Sequence, residues 1–201
     1  MEWNRNGLAA VALCALSVAA TPALAQASDP AAQVVDGLDN ALIATMKTGG
    51  GIAARARVIG PAVDHAFDLP LMARLSVGPA WTGFSPQEQA GVISAFRAMS
   101  VAQYAANFDS YSGEKFTLVG PVEVRGTDRL VRTTLTGPKG VNEALNYRLR
   151  ESGGQWKIID VFYRNAISQL ATRRSDFAAV LAKGGAPALI SHLNRLAANP
   201  K

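Results

Sequence analysis

The sequence holds a single cysteine and two histidines among 201 residues, and that scarcity removes several kinds of chemistry at once. One cysteine cannot close an intrachain disulfide or supply paired thiolates to a metal. His65 and His192 stand far apart in the chain, and neither belongs to a paired metal-binding pattern. The serine-hydrolase elbow G-x-S-x-G and the phosphate-binding loops are missing as well. Charge is modest, 20 Lys and Arg against 15 Asp and Glu, and the formal excess of +5 points to an anionic partner without saying which.

The lone cysteine, Cys14, falls inside an uncharged apolar run from Gly7 to Ala20, with Arg5 before it and Ala23-Leu24-Ala25 after it. A basic start, a short apolar run and a small-x-small site are the marks of a secretory signal peptide, and the run is shorter than the ~20 residues of a membrane span. The expectation is cleavage after Ala25 and export to the periplasm, with residues 26–201 forming one cysteine-free domain. Losing Glu2 and Arg5 leaves the excess charge unchanged. In an exported protein that charge is expected to face lipid headgroups or an acidic protein rather than nucleic acid, with Arg148, Arg150, Arg173 and Arg174 as the candidate positive face.

Beyond the leader, helical signals come first. Ser28-Asp29-Pro30 reads as a cap with proline in the first turn, and Val34, Val35, Leu38, Leu42 and Met46 recur at helical spacing until Gly49-Gly50-Gly51. A second helix is predicted from Ile52 to about Ala66, and a short third from Asp68-Leu69-Pro70 to Gly78-Pro79. Ser85-Pro86-Gln87-Glu88 is a capping box that opens a helix of about twenty residues with a wide apolar face, including Phe96 and Tyr104.

From Phe116 the period drops to two. Strands are predicted at 116–125, 129–136, 141–151 and 156–163, with short turns that imply antiparallel hairpins. Leu145, Tyr147 and Leu149 share one face of the third strand, while Asn146, Arg148 and Arg150 share the other, so the sheet has a dry side and a wet side. Two closing helices are expected, one capped by Ser175-Asp176 and running to Lys183, the other from Ala186 to Ala197. The pattern as a whole is α+β: helices packed on a curved, mainly antiparallel four-stranded sheet.

Few groups suggest catalysis. His65 beside Asp64 reads as a solvated helix end, and His192 as a surface or packing residue. Asp160 interrupts the apolar strand WKIIDVFY and could act as a base, but an acceptor for backbone groups or an arginine is the plainer reading. Asp36, Asp39 and Arg173-Arg174 read as charges on solvated faces. Bulky apolar faces with little polar chemistry suit a container better than a catalyst, and a core packed against itself is the simple alternative.

Four ordered stretches carry a family likeness: FDLPLMARLSVGPAW, YAANFDSYSGEKF, LNYRLRESGGQWKIIDV and SQLATRRSDFAAVLAKGGAPALISHL. Together they resemble the periplasmic lipid carriers of the MlaC type, and within these the hopanoid-associated branch, over about Val34 to Leu196. The resemblance implies an apolar cavity between helices and sheet, a hopanoid or phospholipid ligand, no enzymatic activity and no cofactor or metal. It also implies an inner-membrane transporter and an outer-membrane acceptor as partners. The residues expected to line the cavity are Phe96, Tyr104, Phe108, Phe116, Leu145, Tyr147 and Leu149. A small periplasmic hydrolase, or an adaptor with its apolar faces filled, are the alternatives.

Overall fold

The computed structural model describes residues 29–200 apart from 141 and 165, so the expected leader and its cleavage site lie outside the described residues. The chain starts with helix α1 (Pro30–Met46), capped by the Asp29 carboxylate, which accepts from the Ala31 N–H at 2.8 Å. Its apolar stripe, Val35, Leu38, Leu42 and Met46, is buried. The glycine run ends it, with Gly50 in the left-handed region (φ 86), a conformation that costs glycine little.

Helix α2 (Gly51–Ala66) and helix α3 (Leu69–Val77) follow, α3 being capped by the Asp68 carboxylate on the Leu71 N–H. A 3₁₀ turn, Gly78–Gly83, leads to the capping box. There Ser85 accepts from the Glu88 N–H, and the Glu88 carboxylate accepts from Ser85 in return, opening helix α4 (Pro86–Asn107).

The sheet then forms from β1 (Lys115–Leu118), β2 (Glu123–Arg125), β3 (Asp128–Thr136), β4 (Asn142–Ser152), β5 (Gln155–Tyr163) and β6 (Ile167–Ser168). Its order is β1-β3-β4-β5-β6, every neighbour antiparallel, with β2 pairing β3 beside β1. Six strands therefore replace the four expected. The predicted strand at 116–125 breaks into β1 and β2 because Gly120 takes φ 71 and Pro121 has no N–H for a ladder. The two-residue β6 is too short to show any alternation.

Helix α5 (Gln169–Ala198) closes the fold and corrects the expected cap. It begins at Ser168, whose hydroxyl accepts from the Ala171 N–H at 3.0 Å, seven residues before Ser175. The expected break is present within it, at Gly184 and Gly185, the latter at φ 57 and ψ −148, a region almost closed to other residues. Among the described residues no helix is long and apolar enough to cross a membrane.

The helices cover the dry face of the sheet: α1 meets β3 and β5, while α2, α3 and α5 all reach β5, and α4 packs between α2 and α5. Phe96 of α4 meets Phe177 of α5 edge-on, ring centroids 6.4 Å apart. Leu149, Ile158, Leu189 and Leu193 are fully buried nearby, each contributing about 1.5–3 kcal/mol of apolar transfer energy. At one point β5 carries an extra residue, Ile159, because Arg148 pairs with Asp160 while Leu149 pairs with Ile158. This bulge bends the strand where it meets Phe67, whose own bridge to Ile158 is parallel.

Candidate functional site

The seam between α4 and the sheet is built around aromatic rings. Phe67, Tyr104, Phe108 and Phe116 form a continuous chain, with successive centroids 5.7, 6.0 and 6.4 Å apart. Phe108 is the C-cap of α4, one turn beyond Tyr104 and donating its N–H to the Tyr104 carbonyl, and the turn into β1 brings Phe116 to the end of the row. Tyr111 stands outside it, 39% exposed, with the Lys47 ammonium over its ring.

Beside this chain lies a cavity of ≈ 70 Å³ with two unlike walls. Val63, Phe67, Leu69, Met72 and Val161 are buried and apolar, while Ser100, Gln103 and Asn107 of α4 face them together with Tyr104, Tyr163, Gln169 and Arg173. Positions 100, 103 and 107 are one polar stripe on the helix. The cavity runs from exposed Asn107 inward to Ser100, which is only 3% exposed and whose hydroxyl has no hydrogen-bond partner among the described residues.

Arg173 is the charged member. Its guanidinium lies 4.9 Å from the Phe96 ring centroid and donates to the Gln103 side-chain oxygen at 3.1 Å. Burial pulls it below the ordinary arginine value, partly offset by Tyr104, Asp160 and Tyr163. The expectation of a solvated Arg173 is thereby corrected: its position in the first turns of α5, starting at Gln169, turns it inward. Burial likewise pushes the Tyr104 hydroxyl upward, so it stays a protonated donor at any ordinary pH.

A second space, an open groove of ≈ 270 Å³, shares Asn107 and Tyr163 with the cavity and is bordered by Met46, Phe108, Leu135 and Leu145. The seven residues expected to line a site thus fall into separate groups. Tyr104 lines the cavity, Phe108 and Leu145 the groove, and Phe116 packs against Phe108 with its ring tilted by 36°. Phe96, Tyr147 and Leu149 lie deeper, at 0–1% exposure, packed into the common core.

The remaining polar candidates have structural partners. Asp160 accepts from the Ser168 hydroxyl at 2.5 Å, the Leu170 N–H at 3.0 Å and the Val161 N–H at 2.8 Å, so it ties β5 to the start of α5. Asp64 pairs with Arg97 at 2.6 Å on the surface, and His65 beside it is exposed. Asp39 corrects its expected place on a solvated face: it is 5% exposed and points at Tyr147. Arg148 and Arg150 share one carboxylate, that of buried Asp128, at 2.5 and 2.7 Å. They project from the sheet, whereas Arg173 faces inward, so the four arginines do not make a single positive face. Among the described residues no cluster of three or more His, Cys, Asp or Glu could hold a metal.

Residues 36–195 match the family model described as MlaC protein. The solved structure of a phospholipid-binding protein from Ralstonia solanacearum, in complex with a phospholipid, superposes with a TM-score of 0.74 at 22% identity. The match covers 85% of this chain and 98% of that one, and it establishes a shared fold. No curated protein sequence matches the chain.

Proposed function

The chain belongs to the MlaC family, and from that premise we propose that it is a periplasmic carrier of a membrane lipid, a hopanoid or a phospholipid, between the inner and outer membranes. The observation that carries this reading is the pair of adjacent spaces along the aromatic seam, sharing Asn107 and Tyr163, apolar on one wall and polar at the rim. That is the polarity an amphiphile needs. The structural relative from Ralstonia solanacearum, named for its bound phospholipid, has this fold.

Size sets a condition on the mechanism. Ligand pockets generally occupy ~300–1,000 Å³, and the cavity of ≈ 70 Å³ is far below that. Tyr163 and Asn107 are the wall it shares with the ≈ 270 Å³ groove. Displacing these two side chains would join the spaces into one that reaches the lower end of that range. In the expanded site Tyr104, Phe108, Phe116 and Leu145 would wall the acyl tails or ring system, with Phe96, Tyr147 and Leu149 packed behind them in the core and the headgroup near Arg173.

The energetics favour such a carrier. A sixteen-carbon chain in water costs on the order of 13 kcal/mol at ~0.8 kcal/mol per methylene, so unassisted crossing of an aqueous compartment is slow. The chain would supply solubility, and an inner-membrane transporter and outer-membrane acceptor would supply direction. A vesicle-to-vesicle assay with fluorescent lipid tests this: transfer accelerated in proportion to added protein supports the carrier, and transfer at the protein-free rate refutes it.

A further inference from the structure

Arg173 turns inward, but Arg174, the next residue of α5, is exposed and lies over the end of α3. There it borders an open groove of ≈ 450 Å³ with Arg74, Leu75, Gly78, Pro79 and Trp81. None of these six lines the cavity or the groove of the aromatic seam. The place is set by Gly78, where α3 stops: its φ of 71 and ψ of −141 turn the chain into the 3₁₀ segment, a backbone conformation that suits glycine. Its missing side chain matters as well. A β-carbon on Gly78 would stand 3.1 Å from Arg174 Nε, so the guanidinium lies against the bare glycine. Trp81 is fixed by Phe84, ring centroids 6.0 Å apart, and by its carbonyl, which accepts from the Gln89 side chain at 3.3 Å.

The charge of this groove is unbalanced. Arg97, Arg125, Arg132, Arg148 and Arg150 each meet a carboxylate, whereas among the described residues neither Arg74 nor Arg174 has a hydrogen bond or an ion pair. The acids of the adjoining segments are turned away or committed. Asp176 stands two positions after Arg174, on another side of α5; Asp68 caps the far end of α3, and Glu88 is held by Ser85 in the capping box. The C-terminus of α3 attracts cations, but a helix end carries only about half a negative charge. Two guanidinium groups outweigh it.

We propose that this groove docks a protein segment in which carboxylates flank a bulky apolar side chain: the apolar group seats against Trp81, Leu75 and Pro79, and the carboxylates pair with Arg74 and Arg174. Tryptophan and arginine are the side chains that dominate protein–protein contacts, and the arginine fork takes a carboxylate through two parallel hydrogen bonds. A lipid surface fits less well. Leu75 and Trp81 are half-buried in a recess, while the most exposed large apolar side chains, Val124 and Ile167, belong to β2 and β6. A free inorganic anion would leave the apolar floor uncovered. Because the groove and the cavity share no lining residue, the docking site stands whether or not the seam carries a lipid.

The test is selection from a phage-displayed library of random dodecapeptides on the full chain, with counter-selection on the double variant Arg74→Glu/Arg174→Glu. Clones held by wild type and lost on the variant are sequenced, and the tightest is synthesised and titrated by calorimetry. Its sequence is expected to carry at least two Asp or Glu beside Leu, Phe or Trp. The double reversal should weaken it about tenfold or more, as charge-assisted bonds of ~1.5–3 kcal/mol imply, and added salt should weaken it too. Arg74→Lys/Arg174→Lys should keep part of the affinity, and a peptide with its acids changed to lysine should bind the Glu variant better than wild type. Should the Glu variant fail to fold, Arg74→Gln/Arg174→Gln takes its place. No clone that depends on the two arginines, or dependent clones without acidic residues, overturns the docking site. Co-sedimentation with phosphatidylglycerol vesicles that the reversal abolishes, in the absence of such a peptide, overturns it in favour of a lipid surface. Self-association in sedimentation that the reversal abolishes, again without such a peptide, overturns it in favour of a second copy of the chain.

Discussion

The Tyr147 hydroxyl donates to the Asp39 carboxyl group at 3.5 Å across the interface of α1 and β4, and both side chains are buried. Burial, reinforced by the charge of Asp36, pushes the Asp39 acid up to about 8, against a smaller opposing effect of the Tyr147 bond. Below the ordinary carboxylate value, near ~4, folded and unfolded chains both hold this proton. Between there and about 8 only the folded chain holds it, so stability falls as pH rises through that window. Asp39→Asn should flatten this slope and raise stability at pH ~8 by on the order of 1 kcal/mol or more. Thermal melts from pH ~5 to ~9 check it, and parallel slopes for the two proteins would contradict it.

The Asp128 pair should behave in the opposite sense. Its hydrogen bonds to Arg150 first, then Arg148, hold its carboxyl below the usual range. That contribution is present above the unfolded carboxylate value and is lost as pH falls through the folded one. Removing one partner of a fully buried pair costs ~3–5 kcal/mol. Here the Arg148 and Arg150 side chains are 46% and 39% exposed against 1% for Asp128, so Asp128→Asn should cost about 1–3 kcal/mol at neutral pH. Chemical denaturation at pH ~7 and ~3 measures it, with a smaller loss at the acid end.

Tryptophan substitutions on β4 should separate packed positions from those beside open space. Leu149 is fully buried in the common core, whereas Leu145 borders the ≈ 270 Å³ groove. Leu149→Trp should overpack and destabilise the lipid-free protein by about 1–3 kcal/mol. Leu145→Trp has room toward the groove, so it should cost less stability and reduce lipid loading instead. Equal destabilisation with unchanged loading would show that Leu145 is plain core.

Much of the helical framework was legible because its signals are local. The Asp29, Asp68 and Ser85 caps each act within three residues, and all three stand where the sequence places them. The hairpins were legible from β3 onward for the same reason. Position 39 was misread as surface although it falls one turn after Val35 and three residues before Leu42, inside the buried stripe; its charge outweighed its spacing. The start of α5 was missed because its cap, Ser168, is shared with the strand β6. Arg173 follows from that start, since a helix beginning seven residues earlier presents a different face. What no local pattern could show is the meeting of α4, α5 and β5 at one cavity, which depends on contacts between residues as distant as Gln103 and Arg173.

Export is expected to remove residues 1–25, after the small-x-small Ala23-Leu24-Ala25. N-terminal sequencing of protein from the periplasmic fraction should begin at Gln26. A mature chain still starting at Met1 would contradict this.

The central claim, that the aromatic seam carries a lipid, is tested most directly by native mass spectrometry of the protein purified from its own periplasm without detergent. The account predicts a species heavier than the polypeptide by the mass of one membrane lipid, a hopanoid or a phospholipid, released on denaturation and identified by its fragments. Polypeptide mass alone, together with failure to acquire any lipid from vesicles, would contradict it.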